Sequence, residues 1–311
     1  MLKKVFYAAL LFSMGMIMAS CIGNTPAAPP EDSDSDADTE LQFNTSPSSA
    51  SADSTNSPGN AGNTGPAGTI SETVSGTVFG SDDLDLMQAT SPQPGDTIAI
   101  IHTSMGDVTL RFFPEEAPLA YENFVTHARN GYYDGVIFHR ILENFMIQGG
   151  DPEGTGAGGE SIWGHGFGQE FSWNLRHFRG ALAMAQTNVP NSIGSQFYIV
   201  HNYDFDSDML PFLNEFHNQR DLLLGEKDGR DVYVRDFFTP DMVEAYRRYG
   251  GTLHLDIAFG MVMEGAGPGH TVFGQVIDGM DVVDAIAKVE VDPAGRPHEE
   301  VIIERVTVTT Y

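Results

Sequence analysis

From residue 98 onward the chain alternates apolar and polar positions in short runs. The runs 98–102 and 108–112 alternate on either side of Ser104-Met105-Gly106-Asp107, which predicts a β-hairpin. Pro114 and Pro118 then open a helix to about Arg129, with Leu119, Ala120, Phe124 and Ala128 at helical spacing and Asn130-Gly131 as its stop. Strand patterning resumes over 136–141 and 145–149, with Glu143-Asn144 as the break between them. Further strands are expected over 181–185 and 196–200, joined by a loop over 186–194 rich in turn formers. Residues 209–224 and 239–249 read as helices. The second carries Thr239 as cap, Pro240 at its first position, a Met242/Ala245/Tyr246/Tyr249 stripe expected to pack on the domain, with a role in client binding as the alternative, and Gly250-Gly251 as stop. A strand over 271–276, a helix over 280–288 with Val282, Val283 and Ile286 inward, and a strand over 301–308 complete the pattern. Short strands with flanking helices predict a mainly β fold, a closed barrel.

The first 96 residues read differently. Met1-Leu2-Lys3-Lys4 is a basic head, 5–18 is an uncharged apolar run, and Ala19-Ser20-Cys21 follows with small residues and the only cysteine of the 311-residue chain. Charge, length and cleavage chemistry are those of a secretory signal peptide, and the run is shorter than the roughly 20 residues that span a bilayer. A single cysteine excludes an internal disulfide. Residues 22–96 contain twelve Asp or Glu and no Lys or Arg, and Ser, Pro, Asn, Gly, Thr and Ala dominate. That composition cannot bury a core, so 22–96 is expected to be a disordered acidic tether of roughly 50 Å r.m.s. reach, with 73–79 as an added edge strand. The acidic run 31–38 lacks the Gly and distal Glu of a calcium loop. A net charge of −27 leaves little to neutralise phosphates and argues against a nucleic-acid partner.

Candidate chemistry concentrates in Phe138-His139-Arg140-Ile141-Leu142-Glu143-Asn144-Phe145-Met146-Ile147-Gln148-Gly149-Gly150-Asp151. Strand alternation allows Arg140, Met146 and Gln148 to share one face beside an apolar floor, while His139 faces the other way as a packed histidine. Such a site grips something partly apolar and hydrogen-bonds it at one point. Gly154-Thr155-Gly156-Ala157-Gly158-Gly159 satisfies a dinucleotide fingerprint, but 161–168 keeps breaking and supplies no helix, so a loop lining a groove is the better reading. The histidines show no metal-ligand spacing, and no metal or cofactor is expected.

The 138–151 block closely resembles the active-site signature of the cyclophilins, the peptidyl-prolyl cis-trans isomerases. Four further blocks, 154–162, 183–185, 190–199 and 270–274, resemble that family's motifs in the same order. The resemblance covers about 97–311 and implies a closed eight-stranded antiparallel β-barrel capped by a helix at each end, with insertions at 202–252 and 257–269. It implies that Arg140 is catalytic with Gln148. It also implies a proline pocket of Phe145, Met146, Tyr198, Leu255 and His270, with Gln148 and Gln196 orienting Arg140 and the substrate carbonyl and the backbone at Ala185-Gln186 holding the peptide. The sequence departs from relatives at Gln186, at Tyr198 where Phe is common, and at His254, which stands where many relatives have Trp.

Met18-Ala19-Ser20-Cys21 is similar to a bacterial lipoprotein box, which implies a lipidated Cys21 and a membrane-anchored, extracytoplasmic protein of the bacterial envelope. The implied partners are proline-containing polypeptides, unfolded or partly folded exported proteins, and the membrane. A non-catalytic peptide-binding or holdase module and a purely structural surface lipoprotein remain the alternatives.

Overall fold

The computed structural model describes residues 86–203, 212, 215–263 and 269–311. The chain runs through a 3-10 turn (Met87–Ala89), β1 (Thr97–Thr103), β2 (Gly106–Phe112), α1 (Pro118–Arg129), β3 (Val136–Ile137), β4 (Arg140–Leu142), β5 (Met146–Gly149), β6 (Ala181–Met184) and β7 (Phe197–Val200). The chain then carries β8 (Leu223–Lys227), β9 (Arg230–Tyr233), α2 (Val234–Phe237), α3 (Pro240–Tyr249), a 3-10 turn (Leu253–Leu255) and α4 (Ile257–Val262). The chain returns through β10 (Val272–Asp278), α5 (Met280–Ala287) and β11 (Ile302–Thr310).

Nine strands form one antiparallel sheet in the order β3-β11-β1-β2-β10-β6-β7-β5-β4. It is a curled, open half-barrel and not the closed eight-stranded barrel expected from the resemblance. The reason lies in the run 136–141, which was expected to be one strand and breaks at Phe138-His139 into the two edge strands of the sheet. At the break the backbone N–H of Phe138 donates to Val301 O at 2.9 Å, and that of Ile141 donates to Gly295 O at 2.7 Å. These groups are satisfied by the segment before β11, so no ladder joins β3 to β4.

Alternation along the strands separates two apolar layers. Ile147, Leu182, Met184, Phe197 and Ile199 face inward with Ala99, Ile101, Leu110 and Phe273. Phe124 of α1 enters that layer, with ring centroids 5.2 Å from Phe197 and 5.6 Å from Phe273. Val283 and Ile286 of α5 are buried in the same layer. Helix α1 has no side-chain cap of its own. Instead the Glu170 carboxylate accepts from Leu119 N at 3.0 Å and Ala120 N at 2.9 Å, placing an anion at the positive end of the helix. Met146, Ala181, Ala183, Tyr198 and Val200 face outward and form a second layer with Phe113, Leu175, Leu255 and Val272.

The insertion departs most from the sequence expectation. The expected helix 209–224 begins outside the described residues, shows a helical turn at 215–218, and ends before Leu223, which starts β8. Strands β8 and β9 form a hairpin around Asp228-Gly229, at φ 53° and 73°. The Asp-Gly pair is a hairpin signal that outweighs the helical spacing before it. Helix α3 forms as expected: Thr239 Oγ1 accepts from Met242 N at 3.2 Å, and Gly250 ends the helix at φ 77°. Ala245, Tyr246 and Tyr249 are buried in a third cluster with Phe178, Phe237 and Phe259.

The linker reading of 22–96 extends too far at its C-terminal end. Gln88 is buried; it accepts from Arg176 N at 2.7 Å and donates to Arg176 O at 2.9 Å and Gln275 Oε1 at 3.0 Å. The signal peptide, Cys21 and the 73–79 strand lie outside the described residues.

Candidate active site

Strands β4 and β5 pair so that Arg140 faces Gln148 and Leu142 faces Met146. Arg140 is buried, and its Nη1 donates to Gln148 Oε1 at 3.4 Å. Gln148 Nε2 donates in turn to Gln196 Oε1 at 2.9 Å. Gln196 Nε2 donates to the carbonyls of Gly156 at 3.0 Å and Gly158 at 2.8 Å. A relay of amides therefore connects the guanidinium to the Gly-rich loop. The Gln196 amide is engaged in this relay at both its oxygen and its nitrogen.

Asp151 shapes the far end of the relay. Its Oδ1 accepts from Glu153 N at 2.9 Å, and its Oδ2 accepts from the backbone N–H groups of Thr155, Gly156 and Gly158. Burial alone raises the pKa of a carboxyl. Here the hydrogen bonds from Glu153, Gly156, Gly158 and Thr155 outweigh burial and hold Asp151 below the usual range. The chain reaches this loop through Gly150 at φ 88°, where a Cβ would lie 2.6 Å from Ser195 O. Only glycine fits both constraints.

Beside Arg140 lies an apolar pocket lined by Phe145, Met146, Gln148, Ala185, Gln186, Tyr198, Leu255 and His270. The guanidinium carbon is 5.9 Å from the Phe145 ring centroid. The 257–269 insertion does not displace Leu255 from the site, because His270 N donates to Leu255 O at 2.9 Å and closes the insertion at its base. The tip of the insertion, 264–268, is outside the described residues. Ala185 N–H is engaged by Gln196 O at 3.0 Å and is not open to a peptide. The Gln186 side chain donates to Gln169 Oε1 at 3.0 Å and to Gly269 O.

Three histidines close the rear of the pocket. His254, which the sequence reading did not assign to the site, stacks on Phe145 at 5.8 Å and 17°. Its position next to Leu255 was the available signal. His270 meets Tyr198 edge-on at 5.5 Å. Burial, with His177 nearby, lowers His254 to about 4 and His270 to about 3, so both rings are neutral at physiological pH and serve as walls. His177 lies behind Tyr198, its Nε2 3.0 Å from the hydroxyl. His139 is buried under the Gly-rich loop, and burial lowers it to about 4. Among the described residues no group of three or more His, Cys, Asp or Glu could hold a metal ion.

A fixed cation beside an apolar pocket, with no nucleophile at hand, suits a reaction that redistributes charge without making a covalent bond. The family model "Cyclophilin type peptidyl-prolyl cis-trans isomerase/CLD" matches residues 98–230 and 237–308, and the chain belongs to this family. It is a peptidyl-prolyl cis-trans isomerase by that membership and by its relatives. A Staphylococcus aureus (strain COL) protein bearing the name of a peptidyl-prolyl cis-trans isomerase is 43% identical over 216 residues, which is 70% of this chain and 93% of the relative. A Staphylococcus epidermidis protein with the same name is 41% identical over the same shares. A solved Cryptosporidium parvum cyclophilin-type isomerase, crystallised in the presence of the dipeptide Ala-Pro, is 26% identical, with a TM-score of 0.47 over 69% of this chain and 99% of that one.

Proposed function

We propose that Arg140 performs the isomerisation, held by Gln148 and Gln196, on a prolyl ring seated among Phe145, Met146, Tyr198, Leu255 and His270. Rotation about an Xaa-Pro bond faces a barrier of about 18–20 kcal/mol from amide resonance. As the bond twists, the nitrogen loses conjugation, becomes pyramidal and gains basicity. A guanidinium donating a hydrogen bond to that nitrogen stabilises the twisted state more than the planar one, and this difference lowers the barrier. Arginine suits the role because it stays charged and its planar fork keeps one orientation. The observation that carries the reading is the buried Arg140 fixed by the Gln148–Gln196 relay at the rim of an apolar pocket. Neutral His254 and His270 keep the pocket walls free of competing charge.

The clients in this proposal are exported or surface proteins during folding, bound as proline-containing segments. The support is the signal-peptide pattern of 1–21 and the single cysteine at its end. Lipidation of Cys21 would hold the isomerase domain on the outer side of a bacterial membrane, and 22–85 would give it reach.

The test is a protease-coupled or NMR-exchange assay on a short Xaa-Pro peptide, with wild type and Arg140→Ala. The expected result is a loss of about 10²–10³ in kcat/KM, the scale of removing one key donor. A mutant that isomerises like wild type would remove Arg140 from the mechanism. For localisation, the full-length protein should partition with membranes and Cys21→Ala should release it. Equal partitioning of the two would refute the anchor.

A further inference from the structure

The hydroxyl of Tyr198 has a specific partner. His177 Nε2 lies 3.0 Å from it, with the two rings nearly parallel at 16°. His177 Nδ1 lies 2.8 Å from Asp256 Oδ1, and the His177 backbone N–H donates to the same oxygen at 2.9 Å. Tyr246 of α3 donates its hydroxyl to Asp256 Oδ2 at 2.7 Å. Arg176 Nε stands 3.9 Å from that oxygen. His177, Tyr246 and Asp256 are all buried.

The His177 ring bridges the Asp256 carboxylate and the Tyr198 hydroxyl, one ring nitrogen to each. Asp256 is in turn fixed by Tyr246, a residue of the inserted helix. The insertion also holds this segment through its backbone, since Thr252 N donates to His177 O at 2.7 Å.

We infer that the inserted helix positions the proline pocket of this enzyme through the chain Tyr246–Asp256–His177–Tyr198, with His177 as the positioning residue that sets the orientation of the Tyr198 ring. The inference rests on the proposed reading of Tyr198 as part of the proline pocket. In this arrangement the insertion does more than pack on the domain: it supplies the outer end of a hydrogen-bonded strut whose inner end forms the pocket wall. The effect should fall on substrate binding, because the strut touches the pocket wall and not Arg140.

The experiment is a double-mutant cycle in the full chain with His177→Asn and Tyr198→Phe, and with Tyr246→Phe as a third variant. Asparagine places an amide donor near Asp256 but ends short of Tyr198. Each variant is measured for kcat and KM on an Xaa-Pro peptide and for Tm. His177→Asn should lower kcat/KM about fivefold, the worth of one net hydrogen bond, mainly through KM. The His177→Asn/Tyr198→Phe double mutant should be no worse than the poorer single mutant. Tyr246→Phe should shift KM in the same direction and should add little to His177→Asn. Should His177→Asn fail to fold, Tyr246→Phe, which deletes one oxygen, carries the same test through its KM. A drop in Tm with unchanged KM would reduce the network to scaffolding and overturn the inference, as would effects of His177→Asn and Tyr198→Phe that multiply. Wild type and Arg140→Ala run alongside. If wild type is inactive or Arg140→Ala is fully active, the site reading itself fails. If both behave as expected and KM does not move in the strut variants, only this inference fails.

Discussion

Replacing Asp151 by Asn tests whether the relay transmits order from the Gly-rich loop to Arg140. Asp151 is 0% exposed, so water cannot take over its contacts. Four donors converge on Oδ2: Thr155 N at 3.0 Å, Thr155 Oγ1 at 3.1 Å, Gly156 N at 2.7 Å and Gly158 N at 3.2 Å. Glu153 N reaches Oδ1 at 2.9 Å. The amide introduced by Asp151→Asn must keep its oxygen toward the four donors, which turns its NH2 group against the Glu153 N–H. Hydrogen bonds to a charged acceptor contribute about 1.5–3 kcal/mol, against about 0.5–1.5 kcal/mol for neutral ones. The neutral amide thus weakens four bonds by about 1 kcal/mol each and loses the fifth. Crowding of four donors on one oxygen already weakens each bond, so the expected destabilisation is about 3 kcal/mol. Gly156 and Gly158 offer their N–H groups to Asp151 and their carbonyls to Gln196, so the same loosening reaches Gln148 and Arg140. The expected catalytic effect is about tenfold in kcat/KM, equivalent to about 1.4 kcal/mol of transition-state stabilisation. Urea unfolding gives the first quantity and the protease-coupled assay the second, measured well below the shifted midpoint. A variant that loses stability but keeps kcat/KM within about twofold of wild type would refute transmission through the relay, because the loop would then be dispensable for holding Arg140.

Stability should fall with acidification well before the carboxylates titrate. Burial lowers His139 and His254 to about 4 and His270 to about 3 in the folded state, against 6.5 for the free side chain. Their neutral forms contribute stability above pH 6.5. As pH falls from 6.5 toward 4 the unfolded chain binds protons that the native chain does not, and the contribution is lost; unfolding free energies that stay flat from pH 7 to about 4.5 would contradict this. Gln88→Ala removes three buried hydrogen bonds and leaves Arg176 N–H without its acceptor. It should cost about 2–4 kcal/mol in chemical denaturation; a change below about 0.5 kcal/mol would mean that the 86–89 segment lies outside the cooperative unit. Thr239→Ala deletes the cap that accepts from Met242 N and should lower stability by about 1 kcal/mol, read as a shift in the denaturation midpoint.

Much of the fold was legible in the sequence wherever a local rule sufficed. The hairpin of β1 and β2, helix α1 with Pro118 at its start, helix α3 with its Thr239 cap, and the strands β6, β7, β10 and β11 all follow from spacing and from turn or cap residues. The 138–151 run placed Arg140, Met146 and Gln148 together because alternation on two short paired strands leaves little freedom. The same local rules fell short at the seam of the sheet. Residues 136–141 alternate well enough to read as one strand, yet the partners available to Phe138 and Ile141 come from 295–301, far along the chain, and they end the ladder there. The expected 209–224 helix stops short for a similar reason: helical spacing competed with an Asp-Gly turn downstream, and pairing with β9 decided the outcome.

Composition and order of residues determined the motif order and the residue types of the site. Tertiary structure decided which of those residues meet. Leu255 and His270 are separated by an insertion in sequence and joined by one backbone hydrogen bond in space. Gln196 faces the Gly-rich loop because the Gly156 and Gly158 carbonyls converge on its amide. His177 and Asp256, distant along the chain, become neighbours behind the pocket only when Gly250–Thr252 pairs with His177–Arg179. Periodicity is a property of a few consecutive residues, whereas a buried hydrogen-bond network closes only between groups that the whole fold has already brought within about 3 Å.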